Sequence, residues 1–177
     1  KDFNYLIDIA NQGNLRITSI SQDSEDNIWI GTWKSGVFVI DFKNNKLIEH
    51  FNYYQPIYSI KKDFKNNMWF SSGNRLFQHI AATKKIKIHR FTNVLSDILP
   101  DQSRNKVWVT SSGNDQNIYN YDYANESIKS IKVDVSSSFT KKMSLDKYNR
   151  IWIGTWRNGV FRSNDDISEF KKIKLVS

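Results

Sequence analysis

Residues 23–38 and 146–161 are near copies of one another. The first reads Asp23-Ser-Glu-Asp-Asn-Ile-Trp-Ile-Gly-Thr-Trp-Lys-Ser-Gly36 and continues into Val37-Phe38. The second reads Asp146-Lys-Tyr-Asn-Arg-Ile-Trp-Ile-Gly-Thr-Trp-Arg-Asn-Gly159 and continues into Val160-Phe161. A match this long within one chain is an internal repeat. It constrains the fold before any local propensity does, because each copy forms the same unit and buries its apolar face against a neighbour. Two weaker copies lie between the twins, Asp63 to Leu76 and Asp101 to Thr110. The shared tryptophans Trp29, Trp69, Trp108 and Trp152 are separated by 40, 39 and 44 residues.

Within the first copy, four short runs rich in β-branched and aromatic residues are divided by polar turn-forming clusters. They are Arg16 to Ser21, Asn27 to Thr32, Val37 to Phe42 and Lys46 to Phe51. Runs of this length bounded by Asp, Asn and Gly read as an antiparallel meander of strands A, B, C and D. No window keeps a helical period. A four-stranded unit of about 40–45 residues is the period of a β-propeller blade. The expected fold is therefore all-β: about four blades over 15–52, 53–92, 93–132 and 133–177, forming one partial propeller domain over 1–177. Residues 1–14 read either as the tail of a preceding blade, since Phe3 to Leu6 is similar to Phe51 to Tyr54, with Ile7 to Asn14 as the linker to strand A, or as a frayed terminus. The first residue is Lys, and the chain reads as a segment of a longer protein.

The 26 Lys and Arg against 18 Asp and Glu give a formal charge of +8. In strand D of units two and four, Lys85, Lys87 and His89 and then Lys172 and Lys174 alternate with apolar residues, as on an outer strand with one wet face. Spread over several strands, these cations read as a solvated rim and not as a nucleic-acid footprint. There is no cysteine, hence no disulfide framework or thiolate metal site. His50, His79 and His89 stand at no metal-ligand spacing. No cofactor and no metal are expected. No apolar run reaches the roughly 20 residues of a membrane span, so any membrane link lies in other sequence.

One Asp opens each AB turn: Asp23, Asp63, Asp101 and Asp146. One per turn, they read as caps of turn amides and not as paired catalytic carboxylates. The strand-B tryptophans read as blade-to-blade core. Trp33 and Trp156 differ, since they open the BC loops beside the cations Lys34 and Arg157. In a meander blade the BC loop and DA connection share one end, and the AB and CD turns share the other. A loop Trp beside a cation suits stacking on a sugar ring and bonding to its hydroxyls. The candidate ligand-binding residues are Trp33, Lys34, Trp156 and Arg157. The competing reading is that the loop tryptophans cover the adjacent blade.

The motif Asp-(x)4-[Ile/Met]-Trp-Ile-Gly-Thr-x-x-x-Gly-[Val/Leu] resembles the two-component regulator propeller repeat, over about 160 residues as four units. The resemblance is closest in units one and four. That family commonly has Gly three residues after the turn Asp; here Asp26, Asn66, Arg104 and Asn149 stand there. Asn and Asp tolerate a left-handed backbone and Arg does so poorly, so the third unit is expected to turn differently. The turns also resemble the Asp-box of sialidases. That motif sets its aromatic five residues after the Asp, and the step here is six in three units. The resemblance implies a non-catalytic periplasmic sensor segment that detects an oligosaccharide and signals to a histidine kinase elsewhere in the chain. Self-association or contact with remaining blades is the other partner expectation. The alternative is a propeller enzyme of the streptogramin lyase-like or glycan-cleaving type.

Overall fold

The computed structural model describes residues 15–112, 117–133 and 140–174. The stretches Phe3 to Leu6 and Ser136 to Ser138, like Leu175, lie outside the described residues. The chain divides into two compact units, residues 1–92 and 93–177. Each holds two four-stranded antiparallel sheets. In the first unit, β1 (Ile17–Gln22), β2 (Ile28–Thr32), β3 (Val37–Asp41) and β4 (Lys46–Phe51) form one sheet. The other contains β5 (Ile60–Lys62), β6 (Met68–Ser72), β7 (Arg75–His79) and β8 (Ile86–Arg90). The second unit holds β9 (Leu95–Asp101), β10 (Lys106–Ser111), β11 (Asn117–Asp122) and β12 (Ser127–Lys132). Its second sheet is β13 (Thr140–Leu145), β14 (Ile151–Thr155), β15 (Val160–Ser163) and β16 (Phe170–Lys172). Every sheet is ordered as its strands occur in the chain. This is the all-β blade architecture expected from the repeat, with strands A to D in sequence order.

Each AB turn is built on its Asp. Asp23 Oδ1 accepts the amides of Glu25 and Asn27 at 2.8 and 2.9 Å, and Asp23 Oδ2 accepts the indole N–H of Trp29 at 2.9 Å. Asp63 repeats this with Lys65, Asn67 and Trp69 at 2.8, 2.9 and 2.6 Å. Asp146 does so with Tyr148, Arg150 and Trp152 at 2.9, 3.0 and 2.9 Å. One carboxylate thus closes the turn with one oxygen and fixes the strand-B tryptophan with the other.

The residue three positions after the Asp has a positive φ in these three turns: Asp26 at 66°, Asn66 at 63° and Asn149 at 60°. In the third blade a 3-10 turn, Gln102–Arg104, absorbs the extra residue and the positive φ moves to Asn105 at 55°. Arg104 is released from that position, and its guanidinium donates to Asp101 Oδ2, Asn149 O and Asp165 O at 3.1, 2.8 and 3.1 Å. The Trp108 indole still reaches Asp101, at 3.0 Å.

The cores lie between sheets. In the first unit Trp29, Val37 and Val39 meet Ile57, Ile60, Met68, Phe70 and Phe77 of the following blade. In the second, Trp108, Ile118 and Val133 meet Ile151, Ile153, Phe161, Ile167 and Phe170. Removing such side chains from water drives the stacking of the sheets. Trp29, Trp69 and Trp108 are buried, and Trp29 and Trp108 lie in the two cores between blades, as expected of them. Trp152 is only half-buried, and the Arg162 guanidinium lies 5.6 Å from its ring centre.

Adjacent inner strands are also stitched by side chains. Ser19 Oγ accepts the Ile60 amide at 2.9 Å. At the matching place in the second unit, the buried Asp97 accepts the Met143 amide at 2.8 Å and Lys142 Nζ at 3.1 Å.

Candidate functional site: the BC/DA ends of the blades

The BC loops of the first and fourth blades are the same structure. Thr32 N–H and Thr155 N–H each donate to the carbonyl of the Gly four residues on, both at 3.0 Å. Their hydroxyls donate to the same carbonyls at 2.9 and 2.8 Å and accept the amides of Ser35 and Asn158. The glycines take a left-handed backbone, φ 75° at Gly36 and 77° at Gly159. At Gly36 a Cβ would also lie 1.9 Å from Phe51 O, so no other residue closes this loop.

From these matched loops the two tryptophans project into different surroundings. Trp33 is half-buried. Its amide donates to Arg16 O at 2.8 Å, the Arg16 guanidinium lies 4.9 Å from its ring centre, and Tyr58 meets it edge-on at 5.8 Å. Trp156 is 62% exposed. Tyr58, which precedes β5 of the next blade, and Arg16 both lie against the Trp33 ring. Trp33 therefore covers the adjacent blade while keeping part of its ring open to solvent. Lys34 and Arg157 are exposed. Trp33 and Lys34 belong to the first unit, Trp156 and Arg157 to the second, and each pair is a surface of its own unit.

Sequence reasoning missed Arg16 and Tyr58. The signal for Arg16 was present: it opens strand A, and antiparallel pairing with strand B sets the end of B beside it. Tyr58 lies in a DA connection with no periodic pattern to place it.

At the opposite end, the turn carboxylates are committed. Burial opposes ionisation of Asp23, but the hydrogen bonds from Trp29, Asn27 and Glu25 outweigh it and lower its pKa. Burial is likewise outweighed at Asp101 by Ser103, Trp108 and Arg104. At Asp146 it is outweighed by Trp152, Arg150 and Tyr148. These groups stay ionised and bonded, which suits caps and not a general acid held protonated near neutral pH. A groove of about 630 Å³ beside Pro100, Asp101, Gln102, Ser103, Leu145 and Asn149 opens at this end of the second unit. Its carboxylate is already bonded to Trp108 and Arg104.

The histidines also have structural surroundings. His50 stacks on Phe38 at 4.1 Å with a ring nitrogen 2.7 Å from Ser35 O, and His79 lies against Trp29 at 5.2 Å. Among the described residues, no group of three or more His, Cys, Asp or Glu is placed to hold a metal ion.

Residues 11–34 match a family model described as two component regulator propeller. The solved structures similar to this chain include the extracellular domain of the protein described as hybrid two component system BT3049 from B. thetaiotaomicron. The TM-score is 0.73 at 22% identity, over 86% of this chain and 22% of that one. The extracellular domain of the one component system BT4673, from the same organism, gives 0.74 at 20% identity, over 89% and 22%. A catalytically inactive His-to-Ala variant of virginiamycin B lyase from Staphylococcus aureus, solved with quinupristin, gives 0.76 at 16% identity, over 90% and 56%. The chain thus spans about a fifth of the length of the two extracellular domains and just over half of the lyase. No curated protein matches it. At these identities the likeness establishes the fold, that of β-propeller blades. The family match falls on the first repeat, the one that carries Trp29 and Trp33.

Proposed function

We propose that this chain is the ligand-binding, non-catalytic part of an extracytoplasmic two-component sensor. On this reading it binds an oligosaccharide at the BC/DA ends of its blades, through Trp33 with Lys34 and Trp156 with Arg157, and the signal passes to a histidine kinase elsewhere in the polypeptide. The observation that carries the reading is the match of residues 11–34 to the two component regulator propeller. Fold likeness to extracellular domains of bacterial signalling proteins supports it, as does a solvent-open Trp beside a cation in two of the four BC loops. The periplasm is the compartment that fits a glycan sensor of this kind. No described helix is long and apolar enough to cross a membrane.

A second reading, a propeller lyase, is favoured by the lyases among the similar structures. Against it, the ring of His50, which reaches the first BC loop, is taken up by stacking on Phe38 and by Ser35 O, and the turn carboxylates are bonded within their own turns. The experiment is to incubate the protein with a panel of oligosaccharides, measuring binding by calorimetry and products by chromatography. Saturable binding with no cleavage, weakened in Trp33→Ala or Trp156→Ala, supports the sensor. Turnover of any panel member, or binding indifferent to both substitutions, refutes it.

A further inference from the structure

Charge in the first unit is segregated along the strands. Of the six carboxylates among its described residues, Asp23, Glu25, Asp26, Asp41 and Asp63 lie at the AB and CD turns, and Glu49 lies within β4. Among the described residues, the BC/DA end carries none. It carries four cations instead: Arg16 just before β1, Lys34 in the first BC loop, Arg75 at the start of β7 and Arg90 at the end of β8. All four are exposed. No carboxylate among the described residues lies within ion-pair distance of any of them, whereas Lys43 and Lys84 at the other end are paired with Asp26 and Glu25.

Two features go beyond a solvated basic rim. Arg75 and Arg90 are direct cross-strand partners, and like charges in that relation repel unless something is shared between them. The Arg16 guanidinium lies over the Trp33 ring at 4.9 Å, which holds its plane while leaving its N–H edge free to donate. Tyr58 stands edge-on beside that ring. An aromatic face and four cations with no carboxylate partner among the described residues share one end of one unit.

We propose that this end of the first unit recognises the anionic groups of an acidic oligosaccharide, carboxylates or sulfates, with Arg16, Lys34, Arg75 and Arg90 as the donors and Trp33 as the stacking surface. The inference rests on the oligosaccharide reading above and narrows it to a charge class. Guanidinium groups match carboxylate and sulfate through paired N–H donors, and the flanking indole takes the C–H face of the sugar.

The test titrates the protein calorimetrically with two matched pairs. One is hexagalacturonate and its fully methyl-esterified neutral form; the other is a sulfated cello-oligosaccharide and its unsulfated parent. A single-stranded oligonucleotide of equal charge is the control. In at least one pair the anionic member should bind tenfold or more tightly than its neutral partner. That preference should weaken as salt rises from 50 to 200 mM, about the range over which phosphate-type contacts lose affinity. It should disappear in Arg16→Gln/Arg75→Gln and persist in Lys171→Gln, whose thermal midpoints check folding. The arm that shows the preference distinguishes carboxylate from sulfate.

Equal binding of neutral and anionic members overturns the charge class and leaves the oligosaccharide reading intact. Binding of no member of either pair overturns it, and the wider neutral panel then decides the oligosaccharide reading. An anionic preference that survives Arg16→Gln/Arg75→Gln, or oligonucleotide binding at least as tight, also overturns it.

Discussion

Asp63→Asn isolates the bond that joins turn to core in each blade. Asp63 is 4% exposed, and it accepts the amides of Lys65 and Asn67, the Asn67 side-chain amide at 3.1 Å and the indole N–H of Trp69 at 2.6 Å. Asn keeps the oxygen that caps the backbone but sets an NH2 group where Oδ2 faces two N–H donors. Trp69 is fully buried, so its indole N–H finds no water in exchange. A buried donor left without an acceptor costs about 1–3 kcal/mol. The Asn67 side chain is held from its other side by the Ala81 amide, which donates to its Oδ1 at 3.1 Å, so the substitution should cost roughly 2–4 kcal/mol. In a Trp69→Phe background the indole donor is already gone, and the cost should fall by about 1–2 kcal/mol, a coupling read from the double-mutant cycle. Urea unfolding followed by circular dichroism measures all four proteins, and amide exchange in β6 gives the local value. A loss under about 0.5 kcal/mol, or the same loss in both backgrounds, would refute the role given to the indole–carboxylate bond.

Other outcomes follow from the same structure. Gly31→Ala sets a Cβ 2.6 Å from Ile57 Cγ2 and should cost about 1–3 kcal/mol. Gly154→Ala, whose nearest atom is Lys142 O at 3.9 Å, should change stability by no more than about 1 kcal/mol. Melting of the two variants compares them, and equal effects would contradict the packing of the DA connection on the first blade. Trp33→Ala should lower stability by about 2–3 kcal/mol, because its ring covers Arg16 and Tyr58. Trp156→Ala, at a 62% exposed site, should cost less than about 1 kcal/mol.

Stability should also fall in acid. His79 is held neutral by burial, its pKa lowered, so the folding stability tied to it is lost as pH drops below about 6.5. The lowered pKa values of Asp23, Asp101 and Asp146 add a second loss as pH falls below about 4. Unfolding curves from pH 8 to 3 read both, and stability rising toward acid would contradict the bonding described.

The spacing of Trp29, Trp69, Trp108 and Trp152 made the blades legible, because a repeat averages over the ambiguity of any one strand. The turn at Arg104 was legible for the same reason: three copies showed where a left-handed residue belongs, and the fourth broke the pattern. The bond from each turn Asp to its Trp was not read, although the step of six or seven residues is what brings the carboxylate to the indole. The CD turns were hidden further. Asn45 is an ordinary left-handed residue, but Lys84, Glu126 and Ile167 hold φ of 56°, 51° and 59° at matching places. Nothing in those side chains announces it; Ile167 is held there by burial among Trp108, Ile153 and Phe161.

The candidate site was half legible. Trp33 and Lys34 stood out as a loop pair, whereas the segregation of charge needs the strand directions that set Arg16, Arg75 and Arg90 at one end. Read along the sequence, those cations look scattered.

The six tryptophan side chains offer the most direct measurement of the central claim, which is non-catalytic recognition of an oligosaccharide at the BC/DA ends. Each indole N–H gives its own signal in a nitrogen-15 correlation spectrum, and Trp29, Trp69, Trp108 and Trp152 are bonded to turn carboxylates at the far end of their blades. Adding an oligosaccharide that binds should shift Trp33, Trp156 or both, leave the four carboxylate-bonded indoles in place, and leave the ligand's anomeric signals unchanged over hours. Shifts confined to the carboxylate-bonded indoles, or the growth of new anomeric signals from cleavage, would contradict it.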